Sequence, residues 1–322
     1  MESARKQPSA GCATLRCEAL LSRLVAALGG CLMCMHMAAQ PYLYDAKRIR
    51  LYERDFVDTI PLTVMDGRLF VPVCSGGEEY LFLLDTGNGL GEIHTEGHLR
   101  PQKRLGEKTF FDFNGTTQTL PVVTMPPFRL GHLEVGNFPV SLTERPLPRG
   151  YEGVLGFVLF QRGVAAKIDV RHRQLVLTDR KKLFRDEEGF RLKYKLYGFT
   201  PQVELSPFEG YTAEVVFDTG NPHLFLLDKA LLEQWEEDEE VARQVSGWRE
   251  GQELRSAYSM EPHGEMADLL LDRLAWGRLH LRGAKGRTKQ GMSNLGASFL
   301  RYGTIIIDPW RKELVFQPYR KE

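Results

Sequence analysis

The chain repeats itself, and a repeat this long commits it to two similar halves. LFLLDTGN at 81–88 returns as VVFDTGN at 215–221. GVLGFVLFQRG at 153–163 returns as SNLGASFLRYG at 293–303. Each of the later blocks runs into an apolar stretch ending on an aspartate, Asp169 or Asp308. Each then closes with a basic turn and a last apolar segment, RHRQLVL at 171–177 and WRKELVF at 310–316. The blocks keep the same order and similar spacing. Two lobes are therefore expected, 40–185 and 186–322, joined near Asp186, Glu187, Glu188 and Gly189.

Within each half the texture is β. Segments at 60–64, 69–73, 80–84, 120–124, 138–142 and 174–177 are short, apolar or alternating, and rich in Val, Leu, Phe and Thr. The second half does the same at 202–205, 212–217, 278–281, 304–307 and 314–316. Turn formers separate them, as at Asp66-Gly67 and Asn114-Gly115. One helix is expected over 228–245, with Leu231, Leu232, Trp235, Val241 and Val245 facing inward. The acidic run 236–240 is then its solvated face. Such a chain belongs to the all-β class, with few short helices. Its 322 residues and 43% hydrophobic content suffice for a sizeable core. Basic and acidic residues balance at 42 each, and no basic stripe with interleaved aromatics is visible, so nucleic acid is not an expected partner.

The first 39 residues differ from the rest. Arg5, Lys6, Arg16 and Arg23 precede a small, apolar run at 24–39, too short and interrupted for a comfortable membrane span. It reads as a secretory signal cleaved after Ala39, or as a lipoprotein leader with Cys31 as lipid anchor, or as a buried N-terminal helix. Export to a periplasm or cell envelope is the expectation. Cys12, Cys17, Cys31 and Cys34 all fall in this leader, which leaves Cys74 alone and no internal disulfide.

A single Asp-Thr-Gly is a strand ending in a turn, since Asp and Gly are turn formers. Two copies, each after an apolar strand and each at the same place in a repeat, single out Asp85 and Asp218. The pattern resembles the aspartic proteases, both the two-lobed pepsin type and the retropepsin type with one lobe per subunit. In that family each lobe gives one Asp-Thr/Ser-Gly turn and a hydrophobic-hydrophobic-Gly segment beside it. Val154, Leu155 and Gly156 fit the second element, and Asn294, Leu295 and Gly296 fit it with Asn294 in place of an apolar residue. The resemblance covers nearly all of 60–318.

The resemblance implies a double β-barrel of the acid-protease kind. It implies an endopeptidase that uses no cofactor, acts as a monomer and takes a peptide or protein substrate. Two carboxyls a few ångströms apart cannot both ionise cheaply, so they share a proton. The ionised one serves as general base to a water, and the protonated one donates to the scissile carbonyl. Thr86 and Thr219 would hydrogen-bond across the lobes, and Gly87 and Gly220 would let backbone approach the carboxyls. The family's next position is usually Ala, Ser or Thr; here Asn88 and Asn221 stand there, each with an amide able to donate to a carboxylate oxygen. Flap candidates are 108–120 and 252–266, the second containing Tyr258. The alternative is a catalytically silent member of the fold that binds peptide or cell-envelope material in the same cleft.

Two further groups carry competing readings. His94, Glu96 and His98 alternate and would share a strand face, as metal ligands can, but a solvated loop is the expected reading. Asp169 and Asp308 end apolar strands before basic segments and are expected to be structural turn residues.

Overall fold

The computed structural model describes residues 45–111, 116–144, 150–250 and 265–319. The leader with Cys31, the turn at Asn114-Gly115 and Tyr258 lie outside the described residues.

Hairpins build each lobe, and local sequence fixes their turns. Asp66 and Gly67 both take positive φ, at 49° and 74°, and join Thr63–Met65 to Arg68–Ser75. This double left-handed turn suits the twist of antiparallel strands. Gly76 and Gly77 join Arg68–Ser75 to Glu78–Asp85 in the same way. Leu62, expected inside one strand, instead separates Val57–Pro61 from Thr63–Met65. Those two strands belong to different sheets, so the chain changes sheet at that residue.

Lobe one is an eleven-stranded sheet and lobe two a ten-stranded one. Their inner strands match one for one. In lobe one, Arg68–Ser75 pairs Glu78–Asp85, which pairs Gly153–Gly156, which pairs Gly91–His94, which pairs Pro139–Thr143. In lobe two the same path runs Thr200–Phe208, Tyr211–Asp218, Ser293–Gly296, Phe225–Asp228, Ala284–Lys289. Neither sheet closes into a barrel, contrary to the double-barrel expectation. Closure needs the two edge strands to pair. One edge of lobe one is the charged hairpin strand Lys103–Phe111, and the other is the two-residue strand Arg50–Leu51. Lysine-bearing and very short strands are poor edges for pairing.

A six-stranded sheet joins the lobes, and its order is palindromic. Val57–Pro61, Gln174–Thr178 and Ala165–Asp169 come from lobe one; Gly303–Asp308, Glu313–Pro318 and Phe190–Lys193 mirror them from lobe two. The two halves meet where Ala166 faces Ile307 and Ile168 faces Ile305, antiparallel. Gly303–Asp308 is buried throughout, as a central strand covered on both faces must be. The core is continuous across the lobes. Phe157 of lobe one packs edge-on against Tyr194 of lobe two, and Trp276, Phe299 and Phe316 form a second aromatic group in the same core. Each fully buried aromatic contributes about 2 kcal/mol of transfer free energy.

The helix expected over 228–245 is two short helices, Lys229–Trp235 and Glu239–Ala242, and Val245 opens the strand Val245–Arg249. Asp238 breaks it. Its backbone is extended and its side chain accepts from the Glu240 N–H at 2.8 Å, so it caps a new helix instead of continuing the old one. Glu236, Glu237, Glu239 and Glu240 are exposed, as the solvated-face reading requires.

Candidate active site

Asp85 and Asp218 each end a central strand, and the topology brings the two strand ends together at the seam between lobes. In each lobe the following turn is built by the aspartate itself. Asp85 Oδ1 accepts from the Gly87 and Asn88 N–H groups at 2.8 and 3.1 Å. Asp218 Oδ1 accepts from Gly220 and Asn221 at 3.0 and 3.1 Å. One oxygen of each carboxyl is thereby committed to its own turn.

The glycines are required by contact with the opposite lobe. A Cβ on Gly87 would lie 2.4 Å from the Asp218 carboxyl carbon, and one on Gly220 would lie 2.4 Å from that of Asp85. The threonines cross the seam in a closed four-bond pattern. Each backbone N–H donates to the other's hydroxyl at 3.0 Å. The Thr86 hydroxyl donates to the Phe217 carbonyl and the Thr219 hydroxyl to the Leu84 carbonyl, both at 2.6 Å. Both threonines are fully buried, so these bonds are shielded from water.

The segments after the second repeat block pack where expected. Gly156 lies in parallel register with Asp85, and Gly296 with Asp218. The next residues grip the turns: the Phe157 N–H donates to Asn88 O and the Ala297 N–H to Asn221 O, both at 2.8 Å. First hairpins reach across as well. Gly67 lies against Pro222, Phe199 lies against Gly89, and the Arg68 Nε donates to Gly220 O at 3.0 Å.

Asn88 and Asn221 do not donate to the carboxylates. Asn88 Oδ1 accepts from the Gly91 N–H, and Asn221 Oδ1 accepts from the His223 N–H, both at 3.0 Å. These are local turn bonds, a habit of Asn side chains. The donor that does reach a carboxylate is Asn294, whose Nδ2 lies 3.1 Å from Asp218 Oδ2. Its role was not legible in the sequence, because it depends on strand register rather than on a motif.

Burial pushes the Asp85 carboxyl well above the ordinary range, and the neighbouring Asp218 charge and hydrogen bond push the same way. Burial also raises Asp218, but the hydrogen bond from Asp85, the Asn221 and Gly220 N–H groups and the Lys289 charge oppose it. Carboxyls coupled in this way titrate as a pair and not as two separate groups.

The remaining candidates have structural partners. His94 Nε2 donates to Glu144 O and its Nδ1 accepts from the Glu96 N–H, while His98 pairs with Glu152 at 3.0 Å. They do not converge, and no cluster of three metal-ligating side chains occurs among the described residues. Asp169 bonds the His172 N–H and ring and the Tyr319 hydroxyl; Asp308 accepts from the Trp310 and Arg311 N–H groups. Each closes a hairpin turn. A pocket of about 510 Å³, lined by Glu78, Tyr80, His98, Tyr151 and Glu152, opens at the far end of the Glu78–Asp85 strand from Asp85.

The expected flap of lobe one is part of the hairpin formed by Lys103–Phe111 and Thr117–Thr124. It touches lobe two: Lys108 Nζ sits 3.8 Å over the Phe199 ring, and Phe111 packs on Tyr197. In lobe two, Val245–Arg249 pairs antiparallel with Met266–Leu271, and most of the second flap candidate, 252–266, lies outside the described residues.

No protein-family model matches the chain, and no curated protein is similar enough to count as a match.

Proposed function

We propose that the chain is an aspartic-type endopeptidase, hydrolysing peptide bonds with a water activated by Asp85 and Asp218. The observation that carries this reading is the buried carboxyl pair itself. Two carboxyls are brought together by glycines that admit no side chain and by threonines that lock the seam. Such a pair is costly to build for stability alone, because Asp218 is buried, Asp85 is partly buried beside it, and two carboxylates so close repel each other. It suits a task that needs a base and an acid side by side. A peptide or protein chain is the proposed substrate. The flap hairpin of lobe one closing on Phe199 and Tyr197 supplies a cover for an extended strand.

Three asparagines set the chain apart from the family pattern and favour the silent binding module: Asn88 and Asn221 use their Oδ1 atoms in local turn bonds, and Asn294 donates to Asp218, a contact compatible with an ionised catalytic carboxylate. A peptide-library cleavage assay from acid to neutral pH tests the reading. Asp85→Asn and Asp218→Asn should each lower kcat by about 10³-fold or more, since an amide can neither accept the water's proton nor share one. Cleavage surviving in either variant would sink the pair as the catalytic centre. No cleavage by wild type at any pH would leave the binding module as the better reading.

A further inference from the structure

The two aspartates sit in matched turns but not in matched surroundings. Backbone donors cannot tell them apart, because each Oδ1 accepts from two N–H groups at nearly equal distances. The side chains differ. Asn294 stands opposite Val216 in parallel register; at the same place in lobe one, Val154 stands opposite Leu83. Only the lobe-two residue offers an N–H, and it donates to Asp218 Oδ2 at 3.1 Å. An amide N–H can donate but not accept, so it favours the ionised oxygen. Asn294 is 2% exposed, so that bond forms away from water.

Lys289 adds charge on the same side. It ends the strand Ala284–Lys289, is 1% exposed, and donates to Gln290 O at 3.1 Å. The matching strand of lobe one ends on neutral Thr143. The Lys289 charge lowers the Asp218 pKa. Among the described residues, several nearby charged groups have contacts of their own. Asp228, in register with Lys289, turns its carboxylate to the Ala230 N–H. Arg287 pairs with Asp268, and Arg68 donates to Gly220 O. Burial and these two arginines lower the His223 pKa.

We propose that Asn294 and Lys289 are positioning residues that keep the pair's proton on Asp85 and leave Asp218 as the carboxylate that activates water; this rests on the endopeptidase reading above. Asp218 takes a proton from the water as its oxygen bonds the carbonyl carbon, and the Asp85 proton passes to the carbonyl oxygen. In the resulting diol the C–N bond then breaks. The proton on Asp218 goes to the departing nitrogen, and a diol proton returns to Asp85.

The test uses full-length wild type, Asn294→Val and Lys289→Met, with two independent readouts. One is the acid limb of the kcat/KM profile. The other is carbon-13 NMR titration of the aspartate carboxyls in the free protein, assigned through Asp85→Asn. Asp218 should ionise first in wild type. Each variant should move that first ionisation, and the acid limb with it, upward by about one pH unit. KM should stay within about twofold while kcat in mild acid falls about tenfold. Wild type in which Asp85 ionises first overturns the assignment whatever the variants do. Unmoved titrations in folded variants that still cleave overturn it too, and leave the peptidase standing. Carboxyl shifts as expected in a protein that cleaves nothing support the proton placement and reject the peptidase instead.

Discussion

A methyl group at Gly87 or Gly220 would collide with the opposite carboxyl, so at the scale of single residues the site is fixed by what is missing as much as by what is present. This was legible from Asp-Thr-Gly occurring twice in matching frames. Asn88, Asn221, Asn294 and Lys289 were not legible in the same way. An Asn can donate or accept, and which it does depends on backbone a few ångströms away. The residue scale also yields a test that needs no substrate. Asp85 is raised chiefly by burial, then by Asp218. A carboxyl raised in the folded state contributes stability that is complete below its unfolded value and is lost as pH rises through the folded one. Asp85→Asn cannot ionise and avoids that loss. It should be more stable than wild type by about 1–2 kcal/mol at neutral pH, with the gap closing toward acid. Chemical denaturation from about pH 3 to 8 measures it, and a gap independent of pH would contradict the buried, shared-proton pair.

Elements were legible where patterning was strong and local. The strands Arg68–Ser75, Glu78–Asp85 and Tyr211–Asp218 lie over the segments read as strands, since long apolar runs between turn formers leave little choice. The helical region misled because its apolar spacing fits one helix while Asp238 prefers to start a second. The flap hairpin was visible only as a turn between strands; its contacts with Phe199 and Tyr197 are long-range and leave no sequence signal. A desolvated cation on an aromatic face is worth about 1–2 kcal/mol. Burial lowers the Lys108 pKa, which agrees with a side chain drawn onto the ring. Phe199→Ala should therefore free the hairpin. Amide exchange along Lys103–Phe111 should quicken by roughly tenfold, and KM for peptide should rise more than kcat falls. Unchanged exchange would mean the hairpin is held without Phe199.

On the scale of the whole molecule the duplication predicted two lobes but not what welds them. Matching strands such as Ala165–Asp169 and Gly303–Asp308 read as equivalent strands of separate halves, yet they pair with each other in one shared sheet. Partner choice between equivalent strands is invisible to periodicity, because each strand's pattern suits its own lobe and its twin's alike. The weld has a consequence for cooperativity. The hydrophobic core is continuous, and the aspartate turns are tied across the lobes by the Thr86–Thr219 bonds and by Arg68 donating to Gly220 O. The lobes should unfold together, in one calorimetric transition with matching van't Hoff and calorimetric enthalpies. Thr86→Val keeps the shape and removes a hydroxyl that both donates to Phe217 O and accepts from the Thr219 N–H. Two buried backbone groups lose a partner, which costs about 2–4 kcal/mol. The single transition should fall by several degrees without splitting. If it splits into two, the shared sheet does not couple the lobes, and the carboxyl pair is held by the seam at the turns alone.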